Sequence, residues 1–357
     1  GDGSIRWRIV DGAPHRTLRA LASALPLVAA SHATPAYRRE IAMLAQQEWD
    51  FVVFDQYGTG WAMAPFLRRR AGAGAPVLVH VAHDHEASVY ASLVRGFSGS
   101  AFRRLGLWQN WQKTVRLERR IARRADLVTV ITAEDAVRFA ADAPRTPSVV
   151  LTPGHDGAVS TRARIDASVP RRVVMVGNYQ WVAKSENLRR FVAAADALFH
   201  ANGIALDVVG SMPPALAREL GNCRATVLHG FVDDIAPLFA NARIAVVPEE
   251  IGGGFKLKFL DYIFGRVAVA SLSHATAGLS DEIRRAMICR DDVPALVRAI
   301  VDRIDDTDAL TALQDAALDA AQARYRWADR GRELLRAIRR QAGSRAQAPF
   351  EARGVAR

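Results

Sequence analysis

The segment Pro248-Glu-Glu-Ile-Gly-Gly-Gly-Phe-Lys-Leu-Lys-Phe-Leu-Asp261 leads from the end of a predicted strand, through three glycines, into a predicted helix. Glycines let a backbone lie close to a ligand, and the unpaired amides at a helix start form an anion site. Lys256 and Lys258 fall in the first predicted turn, where a cation is disfavoured by a few tenths to about 1 kcal/mol unless an anion offsets it. Asp261 follows about six residues into the helix, roughly 9 Å along its axis. This spacing suits a diphosphate at the helix start and a ribose at the carboxylate.

A plainer interpretation of the same segment stays open. In it, residues 252–254 form only a turn, the two lysines lie on a solvated face, and Asp261 is an ordinary helical residue. The segment matches neither G-x-G-x-x-G nor G-x-x-x-x-G-K-[ST], so neither a nicotinamide site nor a P-loop is predicted. Because the strand, helix, lysines and acid occur in register, the pattern favours the phosphate site.

Short apolar runs alternate with helical stretches on both sides of this segment, which is typical of parallel sheets built from βαβ units. The predicted fold class is therefore α/β, with two sheets. The predicted strands are residues 5–10, 51–55, 77–82, 127–131 and 148–151, then 172–177, 205–210, 225–229, 243–248 and 267–271. The predicted helices of the second half are residues 187–201, 233–240, 255–264, 291–305, 308–323 and 327–340, with Asn187, Asp233, Asp291 and Asp308 as N-caps. Residues 153–170 are polar and aperiodic, and we interpret them as the interdomain linker.

Composition narrows the class of protein. The 357 residues suggest two domains, which we place at 1–155 and 156–335, followed by a helix end and a disordered basic tail at 336–357. No apolar run reaches the roughly 18 residues of a membrane span. Cys223 and Cys289 lack the spacing of a metal site or a disulfide framework. The net charge of +11 predicts an anionic partner.

The segment 248–261, with its continuation to Ala270, resembles the nucleotide-sugar motif of retaining glycosyltransferases of family 4. The stretches 229–248 and Arg172-Arg-Val-Val-Met-Val-Gly177 are similar to the family's upstream segments. The resemblance runs over residues 15–340, more closely in the second half, and implies the two-domain GT-B fold with two Rossmann-like domains. Members of the family begin with a strand and a glycine-rich loop that the chain lacks before Ile5. The resemblance therefore predicts either a trimmed start at Gly1 or a reduced first domain.

The resemblance also implies which residues bind the donor. The diphosphate faces Gly177, the amides of residues 252–254, Lys256 and Lys258, while Asp261 holds the ribose. The donor-binding set predicted in this way is Gly177, Lys184, Phe231, Glu250, Gly252, Gly253, Gly254, Phe255 and Asp261.

The chain departs from the family's pattern at two places. Where the family often has two glutamates separated by seven residues, Gly253 and Asp261 stand here. Glu249 or Glu250 is the predicted replacement for the first glutamate, with a solvated loop charge as the alternative for each. The arginine that usually adjoins the first glycine loop is absent; Lys184 is its predicted replacement, with a surface lysine as the alternative.

The segment Val77-Leu-Val-His-Val-Ala-His-Asp-His-Glu86 ends a predicted strand with three histidines and two acids. A His-x-His-Glu set suggests a metal, but no matching cluster occurs elsewhere, and the resemblance implies an enzyme that needs none. The family places a histidine at the donor sugar, which implies that His83 is catalytic together with Lys256 and Lys258. A packed or capping histidine is the alternative.

Residues 102–124 carry eight arginine or lysine side chains, the single acid Glu118, and the tryptophans Trp108 and Trp111. A basic, aromatic-flanked helix of this kind can lie on an anionic membrane, gaining about 1 kcal/mol per well-placed cation. The alternative is a solvated face that covers the first domain. No recognition module accompanies the charge, so nucleic-acid binding is not predicted.

On this resemblance, the sequence predicts a GT-B glycosyltransferase of the hexosyltransferase type that needs no metal or other cofactor. The donor is a UDP-, GDP- or dTDP-sugar, and the acceptor is a saccharide or is lipid-linked. The reaction retains the anomeric configuration and serves cell-surface polysaccharide or glycolipid synthesis, in the cytoplasm or at the inner face of the cytoplasmic membrane. The alternative is a non-catalytic GT-B protein, either a nucleotide-binding module or a basic adaptor at the membrane surface.

Overall fold

The structure is a computed structural model that describes residues 5–10, 22–68, 75–97, 100–162, 164–252 and 254–347. Its residue contacts divide the chain into two compact units, Gly1–Leu151 together with Gly331–Arg357, and Thr152–Arg330. The domain boundaries predicted at 155/156 and 335/336 stay predictions beside this division.

The first unit is built on a sheet of four parallel strands in the order β1-β2-β3-β4. They are β1 (Phe51–Asp55), β2 (Val77–Val81), β3 (Leu127–Val130) and β4 (Ser148–Val150). The helices are α1 (Leu27–His32), α2 (Pro35–Leu44), α3 (Ala64–Leu67), α4 (Glu86–Gly96), α5 (Ala101–Arg124) and α6 (Ala133–Asp142), with a 3-10 helix at Tyr57–Met63. Strands β2 and β3 are apolar almost throughout because both of their faces are covered.

The second unit is built on six parallel strands in the order β10-β9-β8-β5-β6-β7. They are β5 (Arg172–Val176), β6 (Ala205–Val209), β7 (Thr226–Gly230), β8 (Ile244–Val247), β9 (Ala268–Leu272) and β10 (Ile288–Arg290). The helices are α7 (Val182–Ala201), α8 (Pro214–Leu220), α9 (Ala236–Ala240), α10 (Lys258–Phe264), α11 (Asp281–Arg285), α12 (Val293–Arg303) and α13 (Thr307–Gln322), with a 3-10 helix at Ser273–Thr276. The last helix, α14 (Trp327–Gln347), starts in this unit and ends in the first.

Helices cover both faces of the first sheet. Ile121 of α5 is 1% exposed and clusters with Leu78 of β2. It lies so close to Gly60 that a Cβ there would be 1.9 Å from the isoleucine Cδ1. Val77 packs instead with Ile338 of α14, because successive side chains of a strand point to opposite faces.

The connection order of the second sheet reverses at β5. The chain runs from β5 outward through β6 to β7, then returns to β8 on the other side of β5. This reversal is a topological switch point, where open parallel sheets bind ligands at the carboxyl ends of the strands. The neighbouring ends of β5 and β8 are therefore where a site is expected.

The predicted α/β class with two parallel sheets is confirmed, and nine of the predicted strands lie within one residue of the observed bounds. The strand predicted at residues 5–10 is wrong: Ile5, Trp7 and Ile9 are exposed, and no described strand pairs with them. Strand β10 was not predicted, because it is only three residues long and contains an arginine, so it does not form an apolar run.

The interdomain linker predicted at residues 153–170 is wrong. Ile165 is fully buried in the core of the second unit. The Arg162 guanidinium donates to the carbonyl oxygens of Phe239 at 3.1 Å and Ala242 at 2.9 Å. This irregular stretch has no apolar period because a few separate anchors, not a helix face or strand face, attach it to the unit.

Two helix starts near the predicted site differ from the prediction. Helix α7 begins at Val182, so Asn187 is a buried residue inside it and not its N-cap. Helix α10 begins at Lys258, so Lys256 lies in the preceding loop and not in the first turn. Elsewhere, Asp292 and Asp306 accept the N-cap bonds of α12 and α13 in place of Asp291 and Asp308, and α9 begins beyond Asp233.

Candidate functional site

The loops that follow β5 and β8 are neighbours because these strands pair in the sheet. Gly177 opens the first loop, which leads into α7, and residues 248–257 form the second, which leads into α10. The residues that the sequence assigned to a diphosphate therefore come from both sides of the switch point.

Backbone contacts fix the first loop. Gly177 N donates to Val209 O at 3.0 Å. At Gly210, a Cβ would lie 1.7 Å from Gly177 O, and the φ of +130° is one that other residues rarely adopt. Position 210 therefore requires glycine. Any larger residue there would push the backbone of Gly177 out of its place.

The glycine run of the second loop has backbone angles that side chains disfavour. Gly252 has φ +125° and Gly254 has φ +71°. No atom lies within 4 Å of a Cβ built on Gly252, so its backbone is open to approach. Gly253 lies outside the described residues.

A buried carboxylate gathers two of the predicted lysines. Glu249 is 2% exposed. Its Oε1 accepts from Lys184 Nζ at 2.7 Å and from Lys258 Nζ at 2.6 Å, and its Oε2 accepts from Lys184 at 2.8 Å. The interpretation of Glu249 as a solvated loop charge is wrong. The sequence predicted that a bound anion offsets the positive charge of the lysines. In the structure, Glu249 already offsets part of it.

The third predicted lysine lies beside this group. Lys256 is 6% exposed, and its Nζ lies 3.4 Å from Gly254 O. The solvated-face alternative therefore does not describe Lys256.

The charges in this cluster shift each other's titration. Burial alone would raise the pKa of Glu249, but the charges of Lys258 and Lys184 lower it to about 2. Burial lowers the pKa of Lys258 below its usual range, and Glu249 opposes that effect. The carboxylate is ionised at neutral pH and stabilises the ammonium form of Lys258.

The scarcity of lysine in the chain singles out the same three lysines, a signal that the sequence analysis did not use. The chain has four lysines among its 48 lysine and arginine residues, namely Lys113, Lys184, Lys256 and Lys258. Three of the four occur in the two loop–helix junctions of the switch point. In a chain that uses arginine almost everywhere, these positions retain the compact charge of an ammonium group.

The predicted ribose ligand lies on the first turn of α10. The Asp261 side chain is 55% exposed, and its Oδ1 lies 4.0 Å from His155 Nδ1. The His155 ring stacks on Phe264 with ring centroids 4.2 Å apart. Sequence reasoning missed His155 because it placed this residue in a linker.

The remaining predicted donor residues have different surroundings. Phe231, after β7, is 74% exposed. Phe255 is partly buried, with its ring 5.9 Å from that of Tyr325. Glu250 pairs with Arg190 of α7 at 3.2 Å. Trp181, which no pattern singled out, is 70% exposed directly before α7.

In the first unit, His83 follows β2 and Asp55 ends the neighbouring strand β1. His83 Nε2 lies 2.8 Å from Asp55 Oδ1, and both side chains are at least half exposed. His80 is fully buried, and its pKa is lowered to about 4 by burial. His85 is 7% exposed and lies 3.2 Å from Asp142. Among the three histidines, His83 is the accessible one.

Among the described ranges, no group of three or more His, Cys, Asp or Glu side chains could hold a metal ion. In the same part of the chain, no helix combines the length and the hydropathy of a membrane span.

The basic segment 102–124 forms helix α5, and part of its charge is internal. Arg119 donates to the Asp142 carboxylate at 2.8 Å, and Arg123 donates to the Asp142 carbonyl at 2.8 Å. Trp111 donates to a backbone carbonyl of α4, whereas Trp108 is 46% exposed. The exposed apolar and aromatic residues Phe102, Leu105 and Trp108 lie in the first third of the helix, whereas exposed arginines occur along its whole length.

Part of the chain matches a known protein family. Residues 170–306 match the family described as Glycosyl transferases group 1. No protein with curated annotation matches the chain by sequence.

Solved structures extend the similarity to the fold of most of the chain. TarM superposes with a TM-score of 0.62 at 10% identity, over 84% of this chain and 57% of TarM. HepE of Anabaena, in complex with UDP and glucose, gives a TM-score of 0.61 at 15% identity, over 84% of this chain and 80% of HepE. WaaG, a glycosyltransferase involved in lipopolysaccharide biosynthesis, gives 0.53 at 16% identity, over 74% of this chain and 78% of WaaG. The chain thus shares the fold of GT-B glycosyltransferases, while it spans little more than half the length of TarM.

Proposed function

We propose that the chain transfers a sugar from a nucleoside diphosphate sugar to a saccharide or lipid-linked acceptor, with retention at the anomeric carbon. One observation carries the proposal. Lys184 and Lys258, each in the first turn of a helix, both contact Glu249 beside the glycine loop at the switch point. The family match of residues 170–306 supports sugar transfer. The UDP bound to HepE makes a UDP-sugar the first donor to test.

Catalysis on this proposal is mainly electrostatic. The lysines and the open amides of the glycine loop stabilise the departing diphosphate, because fixed donors in a partly buried site need no reorganisation as charge develops. Asp261 accepts hydrogen bonds from the ribose hydroxyls, and His83 contacts the donor sugar. Since ammonium groups carry the positive charge, the proposed reaction needs no metal.

Calorimetry and turnover test this proposal. The protein is titrated with UDP, GDP and dTDP, and UDP-glucose, GDP-mannose and dTDP-glucose are then assayed with EDTA or with Mg²⁺. We expect one nucleotide to bind, its sugar donor to be turned over equally in EDTA, and the released or transferred sugar to keep its anomeric configuration by NMR. Binding without turnover of any donor supports the non-catalytic nucleotide-binding alternative, and absence of binding contradicts both.

We further propose that the start of α5 contacts an anionic membrane that carries a lipid-linked acceptor. Phe102, Leu105 and Trp108 are 85%, 61% and 46% exposed, and their spacing of three residues places them along one side of the helix. Arg103 and Arg104 lie between them and are exposed. Apolar side chains flanked by cations are the pattern of a helix that lies in a membrane interface.

Vesicle sedimentation tests the membrane surface. We expect the protein to sediment with vesicles containing phosphatidylglycerol more than with pure phosphatidylcholine, and the Phe102→Ser, Leu105→Ser double variant to lose this binding. Val137→Ser is the matched control, because Val137 is also an exposed apolar residue, on α6. Equal sedimentation of the double variant and the control contradicts the proposal.

A further inference from the structure

Glu249 occupies an unusual place among the charges of the site. One of its oxygens, Oε1, accepts hydrogen bonds from both Lys184 and Lys258, so the two amines are gathered around a single atom. The lysines come from different helices, and the carboxylate comes from the loop between β8 and α10. With Lys184 33% exposed and Lys258 11% exposed, the cluster opens to solvent mainly on the Lys184 side.

Without the carboxylate this arrangement would be unfavourable for three reasons. Two like charges would lie close together, each at a helix start where the dipole disfavours cations. Lys258, being largely buried, would lose hydration, which favours its neutral form. A neutral amine cannot supply the positive charge that a diphosphate needs.

The backbone of Glu249 is also anchored. His274 Nε2 lies 3.0 Å from the backbone carbonyl oxygen of Glu249. Burial raises the pKa values of the nearby phenols of Tyr179 and Tyr262, and the Glu249 charge adds a smaller rise. The charged groups that face Lys258 are Glu249, Lys184, Lys256 and Asp261. Among these, Glu249 is the group that both lysine amines contact.

We propose that Glu249 is a positioning residue that holds Lys184 and Lys258 side by side and keeps the buried Lys258 protonated, so that the diphosphate of the donor meets a preassembled pair of ammonium groups. The proposal rests on the proposed function, in which these lysines bind that diphosphate. It also accounts for lysine at these positions, because a compact ammonium fits beside a shared oxygen, whereas the planar fork of arginine does not.

The opposite role for Glu249 makes opposite predictions. If the carboxylate merely competes with the ligand for the lysines, its removal strengthens binding of a diphosphate at every pH. If it positions the lysines, its removal weakens binding at a pH above the lowered pKa of Lys258. Below that pKa, Lys258 is protonated with or without Glu249, so the loss of binding is smaller there.

The first experiment observes the lysines directly. The protein is produced with ¹³C-labelled lysine, whose four Cε signals are assigned with single Lys→Arg variants and followed by NMR from pH 6 to pH 10. We expect the Lys258 titration midpoint to fall in Glu249→Gln, and to be recovered partly in Glu249→Asp. Glu219→Gln is the matched control, because Glu219 forms an exposed ion pair with Arg189. Unchanged lysine titrations in Glu249→Gln overturn the proposal.

The second experiment measures the binding of UDP-glucose at pH 6.5 and pH 8.5, a range in which its diphosphate does not titrate. For Glu249→Gln we expect affinity to be weaker than in wild type, with a larger loss at pH 8.5 than at pH 6.5, and a loss of at least tenfold at the higher pH. Tighter binding at both values assigns Glu249 to competition and overturns the proposal. If Glu249→Gln does not fold, Glu249→Asp is measured in its place. If wild type binds none of the three nucleotides, the proposed function fails, while the NMR result still decides whether Glu249 sets the lysine charge.

Discussion

Asn187 and Ile251 exchange two hydrogen bonds. Asn187 Nδ2 donates to Ile251 O at 2.8 Å, and Ile251 N donates to Asn187 Oδ1 at 3.0 Å. The pair joins α7 to the residue that precedes the glycine run, and Asn187 is 1% exposed, so water cannot replace its amide without rearrangement. The loop at the proposed diphosphate site therefore depends on one buried side chain.

Asn187→Ala should weaken both folding and nucleotide binding. It leaves the amide and carbonyl of Ile251 without partners, which lowers the free energy of unfolding by on the order of 2 kcal/mol. We expect UDP affinity to fall roughly tenfold, or about 1.4 kcal/mol, as measured by calorimetry beside urea denaturation. Asn202→Ala is the control, because that exposed amide bonds to Leu198 at the other end of α7. Wild-type UDP affinity in Asn187→Ala would show that the loop does not need this anchor.

Lys258→Ala should remove most of the activity. Charged hydrogen bonds are worth on the order of 1.5–3 kcal/mol, which corresponds to a loss in turnover of about 10²-fold or more for a group that stabilises the departing diphosphate. Turnover is measured with the donor that wild type uses. Arg298→Ala, which removes an exposed cation from α12, should leave the rate unchanged. An unchanged rate in Lys258→Ala contradicts the assignment.

The strands could be predicted from the sequence because parallel strands covered on both faces are nearly continuous apolar runs, as β2 and β8 show. The start of α7 could not. Asn187 has the chemistry of an N-cap, but it is buried, and its partner Ile251 lies 64 residues away. Local patterns carry no information about such distant partners.

Glu249 shows the same limit at the candidate site. The sequence placed Lys256, Lys258 and the glycines in one segment, since they are contiguous. Glu249 is buried between Lys184 and Lys258 because β5 pairs with β8. This pairing exists only in the folded sheet and cannot be read from the local sequence. The scarcity of lysine in the chain is the signal that could have joined Lys184 to the others.

His83→Ala should reduce turnover more than Asp55→Asn does. His83 is the proposed contact to the donor sugar, whereas Asp55 acts on the ring through one hydrogen bond of 2.8 Å. We expect at least a tenfold loss for His83→Ala, or about 1.4 kcal/mol, and a smaller loss for Asp55→Asn, both measured as kcat/KM. Because the pair is exposed, neither change should alter the unfolding free energy by more than about 1 kcal/mol. A larger loss in Asp55→Asn than in His83→Ala reverses the proposed roles.

Gly210→Ala should destabilise the second unit and displace the Gly177 loop. The new Cβ would lie 1.7 Å from Gly177 O, a backbone atom that cannot rotate away, at a φ of +130°. We expect the free energy of unfolding to fall by about 2 kcal/mol or more, since strained backbone angles alone cost about 1–3 kcal/mol. Gly331→Ala in α14 is the control. It meets no atom within 4 Å and should be neutral or stabilising by up to about 1 kcal/mol.

Glu118 should make the stability of the protein fall as pH rises through the neutral range. It is 1% exposed and accepts from the backbone N–H groups of Glu86 and Ala87, both at 2.8 Å. Burial raises its pKa from 4.5 to about 8, against the lowering effect of those bonds, and burial with the charge of Asp84 raises the pKa of Glu86 to about 7. Between pH 4.5 and 8 the folded state keeps protons that the unfolded state has released. The extra stability is therefore complete below pH 4.5 and lost by pH 8.

The variant Glu118→Gln separates this effect from the rest of the molecule. Its amide does not titrate, so the unfolding free energy from urea denaturation should fall less steeply between pH 5 and pH 9 than in wild type, whatever its absolute value. The slope that remains combines the fall due to Glu86 with a rise up to pH 6.5 due to His80, whose pKa burial lowers to about 4. Glu134→Gln, at an exposed position in the first turn of α6, should keep the wild-type slope. If Glu118→Gln also keeps that slope, Glu118 is ionised throughout the range, and the two backbone N–H groups outweigh its burial.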